Sequence, residues 1–223
     1  MAFRDVYRGR RVLVTGHTGF KGSWLSAWLL HMGAEVCGFS DGIPTSPSLF
    51  EMAALSNRME HRLGDVRDLD AVRDAVTSFR PDFVFHMAAQ PIVRTSYTDP
   101  VGTITSNVVG TTHVLEALRR VEHPCVAIVI TSDKCYDNVE WVWGYRETDP
   151  LGGKDVYSGS KAAAEIVFKS YWHSFFGRPD SPVKLATARA GNVIGGGDWA
   201  ADRIVADCVR AWGRGERVEI RSP

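Results

Sequence analysis

Residues 11–22 read RVLVTGHTGFKG, an apolar run that ends in a turn carrying Gly16, Gly19 and Gly22. The first five residues have the length and β-branched content of a buried strand. After the third glycine come Trp24, Leu25, Trp28 and Leu29 at helical spacing, so the order is strand, tight turn, helix. Glycines in such a turn let backbone N–H groups approach a pyrophosphate, and the helix N-terminus adds the positive end of its dipole. A glycine-rich turn without a ligand is the bland alternative, and the complete strand-turn-helix context weighs against it.

Working outward, 35–39 (EVCGF), 82–86 (DFVFH), 126–131 (VAIVIT) and 184–189 (KLATAR) also read as strands, with 60–63 a weaker one. Between them, Leu69, Val72, Val76 and Phe79 fall at helical spacing, as do Ile104, Val108, Thr111, Leu115 and Leu118. This alternation predicts an α/β fold, a doubly wound parallel sheet with helices on both faces. Segment 158–176 is a strong helix with more apolar surface than one sheet face requires, and its surplus face suits a subunit interface. The stretches 40–49 and 136–154 are rich in glycine, proline and serine or tryptophan and predict functional loops.

The 223 residues, 44% hydrophobic, suffice for one α/β core and not for two full domains. Twenty-six basic residues balance twenty-six acidic ones, so no overall field draws in nucleic acid or an anionic membrane. Cys37, Cys125, Cys135 and Cys208 form no C-x-x-C pair, and no apolar run approaches the roughly 20 residues of a membrane span. The N-terminus lacks a signal-peptide pattern. These features predict a soluble cytoplasmic protein. The histidines, His86 included, have no metal-ligand spacing, so no metal is expected.

Tyr157 and Lys161 stand four apart at the start of the strong helix, on one face about a turn apart. An ammonium beside a phenol favours the phenolate, so this pair predicts a tyrosine acidified toward working pH and usable as a general base. Y-x-x-x-K is common by chance, and its weight comes from sharing the chain with the glycine loop. Ser132, Asp133 and Lys134 follow strand 126–131, at the sheet edge where open α/β folds place their chemistry. Asp41, 19 residues past Gly22, either accepts hydrogen bonds from an adenosine ribose, which favours NAD over NADP, or caps its loop. Asp65 either contacts an adenine or caps the following helix, a role that suits Asp68 better.

The spacing of the glycines, with Ser132, Tyr157 and Lys161, resembles the extended short-chain dehydrogenases, the Rossmann-type NAD-dependent epimerases and dehydratases. Segments GHTGFKGSWL, PTSPSLFE, GDVRD, HMAAQPIVRTSY, TSDKCYDN, YSGSKAAAE and RAGNVIGGGDWAADR are similar to the branch acting on CDP-glucose, whose dTDP- and GDP-sugar relatives carry glutamate where Lys134 stands. The resemblance implies NAD held by Gly16, Thr18, Gly19, Phe20, Lys21, Gly22, Asp41, Asp65, Val66, Ala88 and Ala89, with Tyr157 and Lys161. It implies a sugar-nucleotide partner held by Gln90, Arg94, Ser96, Asn192 and Arg203.

By the same resemblance, Tyr157 and NAD oxidise C4 of the sugar with help from the Ser132 hydroxyl, water leaves across C5 and C6, and hydride returns to C6. Asp133 is then the acid for the departing hydroxyl. Lys134 is either the C5 base, which needs a site that lowers its pKa, or an electrostatic stabiliser of the enolate. The bland readings are a flexible turn for Gly195, Gly196 and Gly197 and simple packing for Trp199. Residues 1–190 would form the cofactor-binding domain and 191–223 the start of a smaller substrate-binding portion, which continues beyond Pro223 in the family. That implies NAD binding that survives better than turnover. Segments 104–118 and 158–176 resemble the helix pair of a four-helix-bundle dimer, so a homodimer or tetramer is expected. The rival readings are another sugar-nucleotide dehydratase or a 4-epimerase, which needs no acid-base pair at Asp133 and Lys134, and an inert NAD-binding protein.

Overall fold

The computed structural model describes residues 2–219. Six parallel strands form one sheet in the order β3-β2-β1-β4-β5-β6. They are β1 (Arg11–Thr15), β2 (Glu35–Ser40), β3 (Glu60–Leu63), β4 (Phe83–His86), β5 (Cys125–Ser132) and β6 (Val183–Ala190). Each strand read from the sequence is present, including the weaker 60–63. The chain runs outward from β1 to β3 and then crosses back to β4, so the reversal falls between β1 and β4. Ligands of open α/β sheets bind at such a reversal, beyond the carboxyl ends of the strands.

Alternation along the strands loads both faces of the sheet. Val12, Val14, Val36 and Phe85 point to one face, where α1 (Phe20–His31) contributes Leu29. Leu13, Cys37, Val84 and Ala127 point to the other, against α3 (Leu69–Phe79) and α6 (Gly110–Leu118). This is the doubly wound arrangement that the near-continuous apolar runs require. Asp68 caps α3, accepting from the Asp70 and Ala71 amides at 3.0 and 3.1 Å, as its position in the sequence suggests.

The expected helix 104–118 is instead the later part of a longer rod. It starts at α5 (Pro100–Ile104), after α4 (Val93–Thr98), and passes through a π-helical turn at Thr105–Val109 into α6. Pro100 at the first position and Asp99 at the cap set its start; the Asp99 carboxylate accepts from the Gly102 amide at 2.8 Å. The π turn brings in Asn107, fully buried, which bonds the Gln90 backbone and donates to the Ser160 hydroxyl at 2.8 Å. Helix α7 (Val156–Tyr171) begins two residues earlier than expected because Asp155 caps it, and ends in a π turn at Trp172–Phe176. The short α2 (Leu49–Met52) and α8 (Ile204–Gly213) are present and were not read from the sequence. Residues 41–48 and 137–150 lie in irregular connections. No helix among the described residues is long and apolar enough to cross a membrane.

Two buried histidines lock the carboxyl end of the sheet. His86, at the end of β4, pairs with the hydroxyls of Thr15 at 2.7 Å and Thr111 at 3.1 Å. His17 pairs with His61 at 2.7 Å and Ser40 at 3.0 Å, its ring filling the space where Gly38 lacks a Cβ. Burial pulls His17 down to about 4, with His61 adding to it, and burial pulls His86 down to about 3. Both rings are neutral in the fold, whereas unfolded histidine takes up a proton near 6.5. Their contribution to stability is therefore complete above pH 6.5 and is lost as pH falls through that value toward 4 and 3. Thermal melts between pH 7 and pH 4.5 are expected to show the midpoint falling by roughly 10 °C or more. A His17→Gln variant should flatten part of this slope; an identical slope would remove His17 from the account.

Candidate active site

The turn after β1 is shaped by close backbone approach. Gly16 has φ 75°, and a Cβ there would stand 2.7 Å from the Ala88 amide nitrogen. A Cβ on Gly22 would stand 2.1 Å from the Gly16 carbonyl oxygen. These positions admit only glycine, and they leave a cradle at the start of α1 that a side chain would otherwise fill. Gly19 has ordinary room, with 3.4 Å to the nearest atom. Thr15 ties the neighbouring turn in place, its hydroxyl accepting from the Met87 and Ala88 amides at 3.1 and 3.2 Å. Thr18 is buried and donates to the Gly42 carbonyl at 2.6 Å, which fixes the loop bearing the exposed Asp41. The cradle fits a dinucleotide pyrophosphate, with the Ala88 backbone closing in on Gly16 from the turn after β4.

Asp65 forms a bidentate pair with Arg67, whose hydrogen bond holds the carboxylate below its ordinary range. It does not cap α3. Beside it Val66 is buried, with its carbonyl against His113 at 2.9 Å.

The second half of the site stands at the end of β5 and the start of α7. Tyr157 and Lys161 are both buried and lie one helical turn apart. Ser132, at the end of β5, donates to Asp133 at 2.9 Å. The expected acidification of the tyrosine is corrected here: Tyr157 is shifted above its ordinary value, because burial outweighs the opposing influence of the nearby Ser132 hydroxyl and the Arg203 charge. Lys161 is lowered as well, burial and the nearby Lys21 bringing it down to about 8, so it stays mostly protonated at neutral pH. Lys21 is itself lowered, by burial and then by Arg203, with Asp133 and Asp198 opposing. Lys21, Lys161 and Arg203 thus crowd positive charge toward the sheet edge where Tyr157 stands.

Several expected contacts have other occupations. Lys134 is exposed, without the burial a lysine base needs, and its amide bonds the Ser132 hydroxyl at 3.2 Å. Asp133 is exposed beside it. Ser96 is fully buried and donates to the Val93 carbonyl at 2.7 Å, inside α4 rather than on an open surface. Gln90 has partners at both side-chain ends, donating to Thr103 of α5 at 2.8 Å and accepting from the Ile92 amide of its own loop at 2.6 Å. Arg94 is exposed and pairs with Asp202 at 3.1 Å. Asn192 is exposed, and the Arg203 Nε is buried with no hydrogen-bond partner among the described residues. Among the described residues no group of His, Cys, Asp or Glu could hold a metal ion.

Sequence reading missed Glu165. Its buried carboxylate accepts from the Thr131 hydroxyl, from Thr187 at 3.3 Å and from Arg189 at 3.2 Å, directly behind Ser132. Arg189 also covers the Tyr136 ring at 4.7 Å, and Tyr136 stacks on Tyr145 at 4.9 Å. The signal was available: Tyr157, Lys161 and Glu165 recur every four residues, so a charge lies on the buried face of α7.

A family model described as GDP-mannose 4,6 dehydratase matches residues 13–177. CDP-glucose 4,6-dehydratase of Salmonella typhimurium is 52% identical over 226 aligned positions, covering 100% of this chain and 63% of that protein. CDP-paratose 2-epimerase of Salmonella typhi is 32% identical, covering 74% of this chain and 54% of that protein. Among solved structures, UDP-glucose 4-epimerase of Thermus thermophilus in complex with NAD superimposes with a TM-score of 0.79 at 30% identity, over 93% of this chain and 64% of that one. The chain thus spans less than two thirds of the length of these relatives. With three quarters of its residues under the family model and a site assembled at the sheet's reversal point, the chain belongs to the GDP-mannose 4,6 dehydratase family.

Proposed function

We propose that this chain is the cofactor-binding and catalytic portion of an NAD-dependent enzyme that dehydrates CDP-glucose to CDP-4-dehydro-6-deoxyglucose. The observation that carries the reading is the meeting of Ser132, at the end of β5, with the buried Tyr157 and Lys161, one turn apart at the start of α7, in a chain that also carries the glycine cradle. The choice of CDP-glucose rests on the 52% identity to the Salmonella typhimurium enzyme.

In this reading NAD lies along Gly16, Thr18, Gly19, Phe20, Lys21 and Gly22, with Asp41, Asp65, Val66, Ala88 and Ala89 around its adenosine half. When bound, it supplies a hydride acceptor and, in its oxidised form, a positive ring charge. Tyr157 takes the C4 hydroxyl proton, and Ser132 donates to the oxygen left behind. The resting phenol is neutral, so it becomes a base only when added positive charge outweighs its burial. The resulting C4 ketone makes the C5 proton acidic; Lys134 in its unprotonated form takes that proton while Asp133 protonates the departing C6 hydroxyl, so water leaves across C5 and C6. Lys134 is exposed, and once it carries the proton its charge stabilises the enolate. Asn192 and Arg203 hold the substrate diphosphate, with Arg94 released from Asp202 to join them.

The division into 1–190 and 191–223 is part of the proposal: β6 ends at Ala190, and the following segment carries the diphosphate contacts. We place the enzyme in the cytoplasm as a homodimer or tetramer. The exposed Val101, Ile104, Ile166 and Phe175 on the α5–α6 rod and the α7 rod are the surface for a second copy. Incubation with CDP-glucose and NAD should develop the alkali-induced absorbance of a 4-keto-6-deoxy sugar, and dTDP-glucose should give far less. Equal response to both would sink the assignment of the base, and conversion to a C4 epimer without that absorbance would favour the epimerase reading.

A further inference from the structure

The segment after β6 lies across the start of the cofactor helix. Trp24 on α1 donates its indole N–H to the Gly196 carbonyl at 2.8 Å. A Cβ on Gly195 would stand 3.1 Å from the Phe20 ring, and one on Gly197 would stand 2.9 Å from the Leu49 Cβ. Gly197 also has φ 82°, a conformation that favours glycine. Gly195 and Gly197 are therefore used as glycines in seating this segment on α1 and α2, and Gly196 contributes its carbonyl, which a merely flexible turn would not need. Asn192 lies three residues before this strap and Arg203 six after it. Arg203 and Asp198 both act on Lys21, which follows Phe20 directly, so the strap's far side also returns to the same turn of α1.

Resting on the reading of Asn192 and Arg203 as diphosphate contacts, we infer that Trp24 is a positioning residue for the nucleotide-sugar substrate. By holding the 195–197 strap on the first turns of α1, it sets the substrate's diphosphate contacts in register with the cofactor cradle. The cradle itself is built from backbone at Gly16 and Gly22 and from Thr15, whereas the strap's glycines pack on Phe20, Trp24 and Leu49. Loss of the Trp24 bond thus acts on the sugar nucleotide and spares the dinucleotide.

The test is calorimetric titration of the chain, its Trp24→Phe and Trp24→His variants, and Gly195→Leu, with CDP-glucose and separately with NAD. Trp24→Phe keeps an aromatic ring and deletes the donor; it should weaken CDP-glucose about five- to tenfold, the size of one hydrogen bond. Trp24→His, which retains a ring N–H, should recover part of the loss. Gly195→Leu should weaken CDP-glucose by pushing the strap off Phe20. NAD affinity should be unchanged in the two Trp24 variants. If Trp24→Phe binds CDP-glucose as the parent does, or loses NAD by the same factor, the inference is wrong while the functional reading stands. A parent chain that binds NAD but not CDP-glucose overturns both.

Discussion

Tyr157→Phe is expected to lower turnover of CDP-glucose by on the order of 10²–10⁴-fold while leaving NAD affinity within about twofold. The substitution removes only the phenolic oxygen, and the ring, buried at the start of α7, keeps its packing. Three features single out that oxygen. It lies near the Ser132 hydroxyl at the end of β5, it lies within reach of the Arg203 and Asp133 charges, and it stands one turn from a lysine brought down to about 8. A structural tyrosine at this place would lower the melting temperature when changed, with turnover falling only in proportion. Circular dichroism melts beside initial rates separate the two, and near-parental turnover by a folded Tyr157→Phe would remove the proton-transfer role.

The largest effect on stability is expected at the Arg189–Glu165 pair. Arg189→Leu leaves the Glu165 carboxylate nine-tenths or more out of water with only the Thr131 and Thr187 hydroxyls. Stranding one partner of a buried ion pair costs about 3–5 kcal/mol, or roughly 10 °C in melting temperature for a chain of this size. It also strips the Tyr136–Tyr145 stack of the guanidinium that covers it and frees the Glu147 carbonyl. The double variant Glu165→Gln with Arg189→Leu should be more stable than Arg189→Leu alone, because the stranded charge has gone. Additive losses would show that the two side chains act independently.

The fold was legible because its signals are local. A strand buried on both faces must be apolar throughout, and β1, β2, β4 and β5 announce themselves that way. The glycine spacing at 16, 19 and 22 encodes a close approach that no other residue tolerates, at the first and third positions at least. Helix α8 and the rod from Pro100 were less visible. The first has an amphipathic stripe but no neighbouring strand to mark its frame, and the second is legible from 104 onward across its π turn, so only the opening turn after Pro100 was missed. The site residues were found where chemistry and position coincide, as at Ser132, Tyr157 and Lys161. Ser96 and Gln90 were placed by motif alone, and a motif does not tell whether a hydroxyl or an amide already has partners within the fold. The sign of the Tyr157 shift was misjudged for a related reason: pairing with lysine is visible in the spacing, whereas burial of both groups is not.

The central claim is that Tyr157, with the groups around it, oxidises C4 of the sugar and that the same hydrogen reappears at C6. CDP-glucose carrying deuterium at C4, turned over with NAD in ordinary water, tests it in one step, with the product analysed by mass spectrometry and deuterium NMR. The account predicts deuterium retained in the product and located on C6. Deuterium lost to solvent, or still on C4 in an epimerised sugar, would contradict it.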